Sequence, residues 1–172
     1  MTMEPAALRT GHEGVVAVTS PSIQPAIAPS GLGVVDVRWV PAADWHDIEA
    51  DWREFATRAS ANVFLSPAFA LAAVAVDPAG GLGALVVTRD RAWIGLVAGR
   101  RSMMGTVFSI WTHDYAPYGA PLVSPGEEGT VIAALFRHLE AEGIAAVDWP
   151  MLDGSELSDA LAAVAGGRRI HI

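Results

Sequence analysis

The stretch WTHDYAPYGAPLVSPG, from Trp111 to Gly126, gathers His113, Asp114, Tyr115 and Tyr118 into a few residues of a chain rich in Ala, Val and Leu. An imidazole, a carboxylate and two phenols on one loop could hydrogen-bond a polar substrate, with Trp111 in the same binding set. Asp114 could also orient or deprotonate an amine or hydroxyl nucleophile, provided the carboxylate lies within about 3 Å of it. The same residues also have a structural account: Asp114 ties down backbone amides in a Pro-rich turn while the tyrosines pack on neighbouring strands. Both accounts are compatible with the sequence.

Other chemistries find less support. The chain has no Cys, which removes disulfides, thiolate zinc sites and Cys nucleophiles. It has no Gly-x-Ser-x-Gly, so Ser109 and His113 do not form a nucleophile elbow. No His-x-x-x-His or carboxylate pair at ligand spacing points to a metal. His138 neighbours Leu135 and Leu139 on a core-facing helix pattern and reads as a partly buried structural histidine.

The elements that must position the loop follow from periodicity. Residues 1–32 are rich in Pro, Ser, Thr, Gly and Ala, lack a sustained period and read as a disordered tail, with residues 33–172 forming one domain. In VVDVRWV, Val35, Val37 and Trp39 alternate with Asp36 and Arg38, the period of a half-buried strand. Trp45, Ile48, Trp52, Phe55 and Ala59 then fall on one face of a helix, with Asp47, Asp51, Glu54 and Arg58 opposite. Ser66 and Pro67 open a second helix running to Ala75, with Phe64 and Phe69 as core. Three strand candidates, Ala84–Arg89, Trp93–Gly99 and Thr106–Trp111, make an antiparallel meander joined at Arg89–Arg91 and Arg100–Gly105. After the His113 loop, Ser124 and Pro125 read as the cap and first residue of a third helix with an acidic first turn at Glu127 and Glu128. Val131, Leu135, His138 and Leu139 carry that helix to Gly143. A strand at Ile144–Trp149, a helix from Ser155 to Ala165 and a strand start at Arg168–Ile172 complete the chain.

Composition bounds what such a domain can do. Hydrophobic residues make up 52% and charged ones 17%, yet no run of about 18 uninterrupted apolar residues suggests a membrane span. A balance of 11 basic against 19 acidic residues gives a net charge of −8, which repels phosphate backbones and disfavours nucleic acid as a partner. The first residues lack a cationic head followed by an apolar stretch, so no secretory signal is expected and the default location is cytoplasmic.

The order strand, helix, helix, three strands, helix, strand, helix, strand is that of the GNAT acyltransferase fold up to its sixth strand. Locally, the Trp52 helix, Asn62-Val63-Phe64-Leu65-Ser66-Pro67-Ala68-Phe69, and His113-Asp114-Tyr115 followed by Gly119-Ala120-Pro121-Leu122-Val123 resemble the amino-terminal half of the CelD-like acyltransferases. These are tandem-GNAT proteins related to the Fem aminoacyl transferases. The resemblance implies an α/β (α+β) fold with a mixed, mainly antiparallel sheet flanked by helices. It also implies transfer of an acyl group from acyl-CoA to an amine or hydroxyl.

An acyl-CoA-binding GNAT domain places a Gln/Arg-x-x-Gly-x-Gly/Ala loop between the fourth strand and third helix, where helix-start amides neutralise the pyrophosphate. Here that interval holds THDYAPYGAPLVSPGEEG, whose prolines remove amide donors and whose glutamates repel a diphosphate. The expectation is therefore an acceptor-side half that does not itself bind acyl-CoA. Asp114 would be its catalytic residue, and Trp111, His113, Tyr115 and Tyr118 its substrate contacts. A second GNAT domain or subunit, or self-association, would complete it, with a small-molecule acceptor and no metal. The alternative is a non-catalytic interaction domain derived from such a half.

Overall fold

The computed structural model describes residues 33–76, 80–102, 104–114, 116–150, 156–165 and 170–171. The expected tail, Tyr115, Ser155 and the glycine pair at 166–167 lie outside these residues.

β1 (Val35–Pro41) pairs antiparallel with β2 (Leu82–Arg89), and β2 with β3 (Ala92–Arg101). The turn between β2 and β3 is the two-residue hairpin Asp90-Arg91, with φ of 49° and 73°. These left-handed angles match the twist of the flanking strands. β3 continues antiparallel to β4 (Val107–Ile110), which runs parallel to β6 (Ala146–Asp148), and β6 runs parallel to β7 (Ile170–His171). The result is a mixed, mainly antiparallel sheet of the expected α/β class. Arg100 and Arg101, expected in the second meander turn, belong instead to β3.

Alternation along β2 sorts the two cores. Leu85 and Val87 face one layer, built with α3 (Glu128–Ala141) and α4 (Glu156–Ala165), together with Phe108, Ile110, Val147 and Trp149. Ala84 and Val86 face the other, built with α1 (Glu49–Ala56) and α2 (Pro67–Val76), together with Trp45, Trp52, Phe55 and Trp111. The period of two thus puts one apolar layer on each side of the sheet.

The aromatic stripe is buried as its spacing requires: Trp45, Ile48, Trp52 and Phe55 are all in the core. The segment is not one α-helix, however. Ala42–Ile48 is a 3₁₀ stretch and the α-helix begins at Glu49. The Trp45 and Trp52 ring centroids lie 5.3 Å apart in an edge-to-face contact. Phe64 and Phe69 pack edge to face on each other but stay half-buried rather than entering the core. Asn62 caps the 3₁₀ turn Val63–Leu65 by accepting the Phe64 amide at 3.0 Å.

Candidate functional site

The loop of interest interrupts the pairing along one edge of β3. β4 pairs with Gly99–Arg101, and the Trp111 amide still donates to Ala98 at 3.0 Å. The chain then leaves the sheet at Thr112 and rejoins the same edge further along as β5 (Leu122–Val123), opposite Leu96 and Gly95. Opposite that return, β3 carries a bulge at Ile94, so Ile94 and Gly95 both face α3. The Ile94 carbonyl accepts the Ser124 amide at 2.9 Å, which continues the return. β5 escaped the sequence reading because two residues carry no period.

At the far end of the excursion, His113 and Ala116 exchange backbone hydrogen bonds of 3.1 and 2.7 Å. These bonds close the turn, and Asp114 stands exposed at its tip. Among the described residues no hydrogen bond to the Asp114 carboxylate ties this turn. The returning half is held by three side chains from elsewhere. The Ser60 hydroxyl donates to Pro121 at 3.1 Å and accepts the Val123 amide at 3.0 Å. The Asn62 amide donates to Ala120, and the Trp149 indole donates to Gly119 at 3.1 Å. Ser60 and Asn62 thus support the loop from the segment between α1 and α2, where neither carries a sequence signal for that role.

The candidate residues are spread along this loop and line two different clefts. Trp111 is buried, lies edge to face on Trp45 at 6.0 Å, and ends a cleft of about 230 Å³ between β4 and β6. Tyr118 is half-buried and lines a second cleft of about 280 Å³ with Pro121, Val123, Glu128 and Leu157. His113 is half-buried in the turn. Tyr115 lies outside the described residues.

The start of α3 differs from the sequence reading. Ser124 and Pro125 are not cap and first helical residue. They open a turn in which the Glu127 amide donates to Ser124 at 3.0 Å and Gly126 takes φ of 82°. Proline then glycine at the central positions is the pattern of a type II turn. The helix begins at Glu128 with Glu127 before it and no side-chain cap. Glu127 is ion-paired with Arg89 of β2, whose guanidinium also donates to Thr130 at 3.2 Å, and Glu128 accepts the Gly126 amide at 3.2 Å. Two carboxylates therefore occupy the positive end of the helix dipole, the place a diphosphate would need.

His138 is half-buried on α3, with Nε2 sheltered and without a partner among the described residues. Among the described residues no three His, Asp or Glu side chains gather as a metal group, and no helix is long and apolar enough to cross a membrane.

No family model matches the chain, and no curated protein does. Solved structures weakly similar to the chain include two N-acetyltransferases. One is a ribosomal-protein-alanine N-acetyltransferase from Brucella melitensis biovar Abortus 2308, at 14% identity over 76% of this chain and 87% of that one, with a TM-score of 0.41. The other is the aminoglycoside N-acetyltransferase AAC(6')-Iy in complex with CoA, at 15% identity over 85% and 93% of the two chains, with a TM-score of 0.40. Likeness at this level carries no weight for substrate or mechanism.

Proposed function

We propose that this chain is the acceptor-side domain of a GNAT-type N-acyltransferase, of the kind that forms the amino-terminal half of CelD-like proteins. The element order supports the fold: strand, two helices and a meander are followed by α3 as the crossover between the parallel strands β4 and β6. One observation carries the division of labour. Where a CoA-binding domain needs open amides, α3 starts with Glu127 locked to Arg89 and Glu128 beside it. These residues do not fit a diphosphate, so acyl-CoA belongs to a second domain or subunit. This chain's own task is then to bind the acceptor amine or hydroxyl, with Asp114 holding or taking its proton and contacts drawn from Trp111, His113, Tyr115 and Tyr118 of the same loop, of which Trp111 and Tyr118 serve different clefts.

Calorimetry with acetyl-CoA tests the reading on the chain alone. No measurable heat of binding is expected, whereas tight binding would overturn the division of labour and favour a complete enzyme. Sedimentation and pull-down with a glycine-loop GNAT protein test for the missing half. Persistent pairing without any acyl transfer would favour the non-catalytic interaction domain.

A further inference from the structure

The sheet face that carries α1 and α2 bears one polar row across β3, β4 and β6. Arg100, Ser109 and Asp148 stand there in one row, because Arg100 is opposite Ser109 in the β3–β4 pairing and Ser109 opposite Asp148 in the β4–β6 pairing. Their chain neighbours Phe108, Ile110, Val147 and Trp149 belong to the core under α3 and α4. Alternation therefore sends all three side chains to the opposite face. Arg100 and Asp148 are exposed and Ser109 is half-buried. Neither charge has an ion pair among the described residues.

The β4–β6 pairing ends at Ser109 and Asp148, and Trp111 turns back to bond Ala98. A cleft of about 230 Å³ opens at this parting, lined by Arg100, Ser109, Trp111, Thr112, Asp148 and Pro150. Two strand spacings separate the Cα atoms of Arg100 and Asp148, about 10 Å. Both side chains border the same cleft, so a small ligand can lie between guanidinium and carboxylate. The volume falls below the roughly 300–1,000 Å³ of drug-sized pockets.

We propose that this cleft binds a free amino acid as a zwitterion. Its carboxylate would lie on the Arg100 guanidinium, a geometry that permits two parallel hydrogen bonds. Its ammonium would face Asp148, with the Ser109 hydroxyl between the two ends and Trp111 closing the cleft. The assignment of this ligand as the acyl acceptor rests on the acceptor-side reading above, but binding in the cleft does not.

The test is an NMR titration of the full chain with L-alanine, alongside N-acetyl-L-alanine, which lacks the ammonium, and ethylamine, which lacks the carboxylate. Saturable shifts at Ser109, Trp111 and Asp148 are expected, with a Kd of about a millimolar or tighter. Each truncated analogue should bind at least about tenfold more weakly, and so should alanine to Arg100→Gln or Asp148→Asn. Asp148→Asn should leave N-acetyl-L-alanine unaffected, because that ligand has no ammonium to lose. Absence of saturation at tens of millimolar, or equal affinity for all three ligands, would overturn the proposal. Acetyl-CoA binding by this chain would sink the division of labour while leaving this cleft's result intact.

Discussion

The Trp149 indole donates to the Gly119 carbonyl at 3.1 Å, with both residues buried. This bond fastens the returning half of the loop to the end of β6. Gly119 has no room for a side chain, since a Cβ there would come within 2.6 Å of the Pro150 carbonyl oxygen. Trp149→Phe keeps an aromatic side chain but trims the indole to a phenyl and takes the N–H donor from that carbonyl. A loss of about 1–3 kcal/mol is expected, read as a lower denaturant midpoint at unchanged slope.

Trp52 is wholly buried, packs edge to face on Trp45 and donates its indole N–H to Leu65 at 2.8 Å. Trp52→Ala should cost about 3–5 kcal/mol. Thermal melting followed by circular dichroism checks it, and an unchanged melting temperature would contradict the packing described.

Arg89 and Glu127 pair with side chains only 14% and 17% exposed. Removing one member of a fully buried pair costs about 3–5 kcal/mol, and the residual solvent contact makes a smaller loss the expectation for Glu127→Gln. The same change loosens the join between β2 and α3. Hydrogen exchange should therefore rise first in the opening turn of α3, and uniform exchange along the helix would argue against this clamp.

Arg91 takes φ of 73° without being glycine. Arg91→Gly relieves the left-handed strain and should stabilise the hairpin by about 0.5–1 kcal/mol after the added freedom of the unfolded chain. Chemical denaturation would show a higher midpoint, and a lower one would count against the strain argument.

Asp114 stands exposed at the tip of the His113–Ala116 turn. Asp114→Asn should leave stability within about 0.5 kcal/mol. If the carboxylate takes the acceptor proton, transfer by the assembled enzyme should fall by about 10²–10⁴-fold. Full activity with the variant would remove Asp114 from the chemistry.

Much of the fold was legible because it is written in periods. Trp45, Ile48, Trp52 and Phe55 announced a buried stripe by spacing, and Val35, Val37 and Trp39 a strand, since local geometry alone sets which side chains share a face. The 3₁₀ stretch Ala42–Ile48 arose inside a segment whose spacing reads as one α-helix, and other errors fell where no period exists. Two-residue β5 is held by its partner β3. The Ser124-Pro125 pair fits a cap and a turn equally well, and the turn prevails here because Gly126 supplies the positive φ and Arg89 captures Glu127.

The candidate site divides in the same way. Residue types alone drew attention to His113, Asp114, Tyr115 and Tyr118, and to the carboxylates ahead of α3. Only tertiary structure separated Trp111 and Tyr118 into different clefts and gave the loop its supports in Ser60, Asn62 and Trp149. It alone brought Arg100, Ser109 and Asp148 into one row. Strand register joins residues far apart in the chain, and register follows from the packing of whole layers, which no local pattern contains.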